Sequence, residues 1–282
     1  MVIRSRTPPV SIIMIKNPYQ QLQHEIMSAG AKVLLSSGQA CVAYGIAAFS
    51  KDGDWVIEES DISCQAVLSV LERKGADYRR GAPLDVRWLA KGWTSHFEYM
   101  DGDIRARTDF CSRPPRINDI KRLWKDAVQK SDIGVVDAQS LIQLKLTRRS
   151  RDYIVIGALA EELGLNGNLP ELALEYLQDY TPLAKAVKRW PQTAALSSRE
   201  AVRLLLQDGS RDDVVNSLAR ERDRMMEVDE KRIQRMLRAS AGYQEAFSTL
   251  KRSWKQQGAK LAQQHADLCS AAVPLLGENL NG

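Results

Sequence analysis

The local signals along this chain change character once, and that change constrains the fold more than any single motif. From about residue 18 to residue 163, short apolar runs of strand length alternate with helical periodicity. The spacing predicts helices at 18–29, 38–47, 61–73, 117–128 and 138–163, and strands at 32–35, 54–58, 95–100 and 104–111. Gly164-Leu-Asn-Gly-Asn-Leu-Pro170 is crowded with turn-forming residues and reads as a boundary. Beyond it almost every signal is helical: 170–179, 181–190, and 198–207, the last opened by Ser197 or Ser198 with Glu200 in its first turn. One or two long helices then run from Asp212 to about His265. The expected fold class is α+β, with domains at 1–165 and 166–282, the second mostly helical.

At 282 residues and 44% hydrophobic composition, the chain is long enough for two domains with cores of their own. No stretch approaches the roughly 18 consecutive apolar residues of a membrane span, so a soluble, cytoplasmic protein without a membrane partner is expected. Pro9 to Ile15 is an apolar run after two arginines, too short for a secretory signal and without a small-residue cleavage site. Cys41, Cys64, Cys111 and Cys269 show no Cys-x-x-Cys spacing. The spacing supports neither a zinc site nor a disulfide framework and points to buried thiols in a reducing compartment.

Within the first half, Asp52 and Asp54 stand two positions apart. In an extended strand such residues share a face, so both carboxylates would project toward one point. Ser50-Lys51-Asp52-Gly53-Asp54 also carries a strong hairpin-turn signal, and the pair alone reads more readily as a turn. Context on both sides favours the site. Lys32-Val33-Leu34-Leu35 reads as a buried strand running into Ser36-Ser37-Gly38, and Gly38 to Ala47 reads as a helix start. Such a turn lets backbone N–H groups and the helix dipole face phosphate oxygens. Asp109 sits in a third strand candidate, Ile104 to Cys111. Three carboxylates are about what is needed to hold divalent cations some 3.5–4 Å apart for an in-line phosphoryl or nucleotidyl displacement.

Taken together, Gly38-Gln-Ala-Cys41, Tyr44-Gly45, Phe49-Ser50-Lys51-Asp52-Gly53-Asp54, the later Asp109, and Lys145-Leu-Thr147-Arg-Arg149-Ser-Arg151-Asp152 resemble bacterial nucleotidyltransferases of the polymerase-β-type superfamily over about residues 20–165. The resemblance implies a small mixed sheet flanked by helices. It implies Mg²⁺ or Mn²⁺ on Asp52, Asp54 and Asp109, and Ser37, Gly38 and Ser50 at the triphosphate of an NTP such as ATP. Asp109 would act on the acceptor only through a metal-bound nucleophile. Lys145 and Arg149, four apart on a predicted helix, share a face and would meet the β- and γ-phosphates, with Asp152 paired to Arg148 or Arg149. The chain departs from the pattern twice. Ser37 stands where glycine is common and restricts how closely the backbone approaches a phosphate, and Gly53 stands where an apolar residue is common and leaves the acid pair more mobile.

The reaction so implied moves a nucleoside monophosphate from an NTP to a hydroxyl on an RNA 3′ end, a protein or a small molecule. A degenerate interaction protein that keeps the fold and an RNA-binding module are the alternatives. Relatives by this resemblance include toxin components of toxin–antitoxin and abortive-infection systems.

The formal net charge of +5 is modest, but the cations cluster: Lys121-Arg122 with Lys125, Arg148-Arg149 with Arg151, Lys185 with Lys188-Arg189, and Lys251-Arg252 with Lys255. Trp124, Trp190 and Trp254 lie beside three of these groups and offer rings for stacking on bases, although solvated helix faces and core tryptophans account for each group taken singly. Ile233, Met236, Ser240, Tyr243, Phe247, Leu250 and Trp254 form an apolar stripe that packs on preceding helices or serves a helical partner or dimer through 212–265. With three histidines and no Gly-x-Ser-x-Gly, Walker or dinucleotide motif, hydrolase triads and P-loop chemistry are set aside. His96 reads as a structural histidine.

Overall fold

The structure is a computed structural model that describes residues 17–130 and 132–280; the apolar run Pro9 to Ile15 lies outside them. Seven strands form one mixed sheet: β1 (Val33–Ser36), β2 (Asp52–Ile57), β3 (Asp77–Gly81), β4 (Ser95–Asp101), β5 (Ile104–Cys111), β6 (Val128–Lys130) and β7 (Ile133–Val135). Their spatial order is β3-β4-β5-β2-β1-β7-β6. β2 lies parallel to β5 and antiparallel to β1, while β1 and β7 are parallel. β3, β6 and β7 add to the strands predicted from the sequence.

Helices α1 (Pro18–Ser28), α2 (Ser37–Ala43), α3 (Asp61–Arg73), α4 (Val86–Leu89), α5 (Ile120–Lys125) and α6 (Ala138–Lys145) are interleaved with the strands. α3 shows why such segments are legible. Ser60 accepts from Ser63 N–H as N-cap, Asp61 and Arg73 complement the dipole at the two ends, and Cys64, Val67, Val70 and Leu71 form the buried face. α7 (Ser150–Leu159) runs into a π-helical turn at Ala160–Asn166. Then follow α8 (Pro170–Tyr176), α9 (Tyr180–Arg189), α10 (Pro191–Ala195), α11 (Glu200–Leu206), α12 (Arg211–Ala239), α13 (Ala241–Gln257) and α14 (Leu261–Ala271). No helix of the described residues is long and apolar enough to cross a membrane.

Two expectations about helix extent are corrected. The predicted helix over 138–163 is broken between Lys145 and Ser150, and the stretch from Asp212 to His265 is three helices, with the first break at Ser240. Ser240 is the polar interruption in the apolar stripe.

Alternation along the central strands divides the interior. Leu35, Trp55, Ile57, Phe97 and Phe110 share one core with Leu22 and Ile26 of α1, Val67 and Val70 of α3, Tyr243, Phe247 and Trp254 of α13, and Leu261 and Leu268 of α14. Leu34 and Val56 face a second core built from α2, α6, α7 and the helices through the start of α12. The stripe residues Tyr243, Phe247 and Trp254 are therefore buried against the sheet. Trp254 gives its indole N–H to Asp267, which removes it from the rings open to stacking. The last helices are tied to the first half by polar bonds as well: Tyr78 N–H to Gln264 Oε1, Trp88 Nε1–H to Ala272 O and Tyr243 O–H to Gly81 O, at 2.9, 2.9 and 2.7 Å.

Candidate active site

Asp52-Gly53-Asp54 forms the beginning of β2, not a hairpin turn. Tyr19 of α1 explains this. Its ring lies where a Cβ on residue 53 would stand, and its hydroxyl donates to Lys51 O at 2.5 Å. Glycine is required for that close approach, and Gly53 is buried under the aromatic ring. In the β2/β5 ladder Asp54 is the register partner of Asp109, and Asp52 pairs with Arg107. Asp52, Asp54 and Asp109 consequently occupy one face, the side to which Val56 also turns.

The corner before the acids is built from β1 and α2. Ser36 Oγ donates to Asp54 O at 3.0 Å, which fastens the corner to the acid strand. Ser37 opens α2 with φ 49°, in the left-handed region where glycine carries no penalty. That conformation is the physical content of the departure from the family pattern at this position. A Cβ on Gly38 would overlap the Ser50 side chain, and Ser50 O accepts from Gln39 Nε2–H at 2.8 Å. Ser37, Gly38 and Ser50 are thus neighbours beside Asp54.

Electrostatics separate the three acids. Burial first, and the Asp109 charge second, push the Asp54 carboxyl up to about 6, against the Ser37 hydroxyl and Lys145, which favour its charge. Asp52 Oδ1 is buried and has no hydrogen-bond partner. Asp109 is already paired. Arg79 Nη2 donates to both of its oxygens at 2.9 and 3.1 Å, and His96 Nδ1 lies 2.7 Å from Oδ2, out of line for a regular hydrogen bond. Burial would raise the Asp109 carboxyl, but His96 and Arg79 outweigh it and hold it below the usual range. Burial in turn depresses the His96 imidazole, whose Nε2 is 2.8 Å from Thr94 Oγ1. Although they share a face, the carboxylates of Asp52, Asp54 and Asp109 are not gathered within 4.8 Å of one another. Arg79 belongs to a strand that the sequence pattern did not reveal.

Lys145 and Arg149 do not share a helix face, because α6 ends at Lys145 and Arg149 precedes α7. They meet at Asp152 instead. Arg149 Nη2 is 2.7 Å and Lys145 Nζ 3.9 Å from its carboxylate, so the expected pairing of Asp152 with Arg149 is present. Lys145 is buried and acts on Asp54, whereas Arg149 is half exposed.

Arg79 and His96 form part of the wall of a cleft of about 1100 Å³ between β3, β4, the 147–149 link, α12 and α13. Arg80, Arg148, Lys251, Arg252 and Lys255 also line it. Two of the four basic clusters noted in the sequence therefore converge here, while those at Lys121 and Lys185 do not line the cleft. The acids Asp52 and Asp54 lie outside its wall, and Asp109 reaches it only through Arg79 and His96.

The fold and this face define a mixed α/β protein with a carboxylate trio on adjacent central strands. No protein-family model matches the chain, and no curated protein matches it. Among solved structures it is similar to a "putative nucleotidyltransferase from H. pylori", with 15% identity, 76% of this chain and 96% of that chain covered, and a TM-score of 0.36. It is also similar to JHP933 from Helicobacter pylori, with 15% identity, 78% and 95% coverage, and a TM-score of 0.37. At these values the likeness carries no weight for the site.

Proposed function

We propose that the chain is a divalent-metal-dependent nucleotidyltransferase that uses an NTP donor and a nucleic-acid hydroxyl as acceptor. The observation that supports this reading is the charge imbalance on the β2/β5 face. Asp54, in register with Asp109, is pushed up to about 6, and Asp52 keeps a buried oxygen without a partner. Oxygen donors with uncompensated charge suit a hard cation such as Mg²⁺. Asp52 and Asp54 would hold it, with Asp109 joining once Arg79 turns away. Bound there, the cation would supply charge neutralisation and orientation for a triphosphate. Ser37, Gly38 and Ser50, beside Asp54, would meet the triphosphate, and the Lys145 charge acts on Asp54. Arg79 lines the cleft, and its Nε–H, buried without an acceptor, would become available to a phosphate oxygen on the same turn that frees Asp109. The density of cations along the cleft favours a polyanionic acceptor over a protein side chain.

The reading is tested by incubating the protein with each NTP labelled at the α-phosphate, Mg²⁺ or Mn²⁺, and total RNA. Label is expected in RNA with the unmodified chain and absent with Asp54→Asn. If no NTP donates label while the protein is folded, the transferase reading fails. A second reading, a nucleotidyltransferase fold retained for interaction, is favoured by the hold of Arg79 and His96 on Asp109. It predicts no Mg²⁺-dependent NTP binding by calorimetry, in the unmodified chain or in Arg79→Ala.

A further inference from the structure

Apart from the acid trio, the fold assembles a different group of ligand-type side chains. Asp85 is the N-cap of α4, and His265 and Cys269 lie one turn apart on α14; one ligand atom from each falls within 4.8 Å of the others. Among the described residues no other three His, Cys, Asp or Glu side chains are drawn so close.

The spacing suits a particular ion. His265 Nε2 is 3.6 Å from Cys269 Sγ. Bonds of about 2.0 Å to nitrogen and about 2.3 Å to sulfur at a tetrahedral centre set two such atoms roughly 3.5 Å apart. The second ring nitrogen has a fixed neighbour: His265 Nδ1 lies 2.8 Å from Tyr78 Oη, and Tyr78 Oη accepts from Leu84 N–H at 2.9 Å. Tyr78 is fully buried and its ring lies within 14° of the imidazole plane, joined to it through Oη, so the imidazole's orientation is set with Nε2 toward Cys269. Ligating histidines are oriented in the same way, with one nitrogen on a fixed outer partner and the other on the ion.

We propose that Asp85, His265 and Cys269 form a zinc site that fastens α14 to the β3–α4 connection. A thiolate, an imidazole and a carboxylate suit borderline-soft Zn²⁺ and not Mg²⁺ or Ca²⁺, which take oxygen ligands. On binding, the Cys269 S–H proton leaves to solvent and a Zn–S bond forms, with no change of oxidation state. Asp85 Oδ1 accepts from the Arg87 backbone N–H and Nε–H at 2.9 Å each and Oδ2 accepts from Nη2 at 2.8 Å, so Arg87 stays as the outer partner of the carboxylate and one Oδ2 lone pair is left for the ion. All three ligands are only partly buried, which leaves the fourth position to water. The site shares no residue with the acid trio and does not depend on nucleotidyl transfer.

The test uses the full chain, stripped with a chelator and held in excess Mg²⁺ so that hard-metal sites are saturated. One Zn²⁺ per chain with release of a proton is expected by calorimetry, and Co²⁺ in its place should show a thiolate-to-cobalt charge-transfer band. Cys269→Ser and His265→Ala should each abolish the band, and Tyr78→Phe should lower affinity by about 10–100-fold. Asp54→Asn and His24→Ala should change neither reading. No charge-transfer band in the unmodified chain, or a band that survives both Cys269→Ser and His265→Ala, would overturn the proposal. Should those variants fail to fold, alkylation of the unmodified chain decides: Zn²⁺ is expected to slow modification of Cys269, and equal rates with and without Zn²⁺ also overturn it.

Discussion

Burial and the neighbouring Asp109 push the Asp54 carboxyl up to about 6, so between roughly pH 4 and 6 the folded chain holds a proton that the unfolded chain has released. The sign follows directly. The unfolded state binds fewer protons in that window, so stability falls as pH rises through it, and the cost is complete above about pH 6. At its upper bound it is about 3 kcal/mol. Asp54→Asn carries no such charge and is expected to unfold at higher urea than the unmodified chain at pH 8, with the gap closing toward pH 4. Equal midpoints at pH 8 would show that the charge is relieved by other means. Adding Mg²⁺ should raise the midpoint of the unmodified chain and leave that of Asp54→Asn nearly unchanged, by linkage of binding to folding.

The break between α6 and α7 shows what local sequence leaves unsaid about elements. Nothing in Leu146-Thr147-Arg148-Arg149 is a helix breaker, and the predicted helix ran through it. The cause lies elsewhere in the chain. The Arg116 guanidinium donates to Gln143 O and Leu144 O at 2.9 Å each, capping α6, while Asp229 of α12 accepts the Arg148 N–H at 2.9 Å. Arg116 and Asp229 are themselves paired at 2.6 Å, with Asp229 only 2% exposed. Removing one partner of such a pair leaves a charge uncompensated and costs about 3–5 kcal/mol. Asp229→Ala should therefore lower the unfolding free energy by that order in urea titrations, and Arg116→Met with Asp229→Leu should not restore it, because Gln143 O, Leu144 O and the Arg148 N–H lose their partners as well. The two-residue spacing placed Asp52 and Asp54 on one face, and the periodicity gave α3 over residues 61–73, because both signals are local. β3 escaped notice because Asp77-Tyr-Arg-Arg-Gly81 offers one buried apolar side chain, Tyr78, and β6 and β7 have three residues each. With β3 went Arg79, so the ion pair on Asp109 was not legible from the sequence.

At the scale of the molecule, each face of the central strands is covered by segments from both sides of residue 165, with α13 and α14 on one and α7 to α12 on the other. Residues 1–165 made alone would leave Trp55, Phe97 and Phe110 without the Phe247, Trp254 and Leu268 side of their core. That fragment is expected to bind a hydrophobic dye and to melt without a cooperative transition, whereas the full chain melts sharply; a sharp transition in the fragment would show that the first half is an autonomous unit. The closure of the first sheet face by the last helices has a consequence for synthesis. β5 leaves the ribosome long before Leu268 is translated, and at about 5–20 residues per second the wait is on the order of ten seconds. During that interval the nascent sheet carries an uncovered apolar face, and contacts of such long sequence separation close slowly. The chain should depend on chaperone occupancy of that face until α14 is translated.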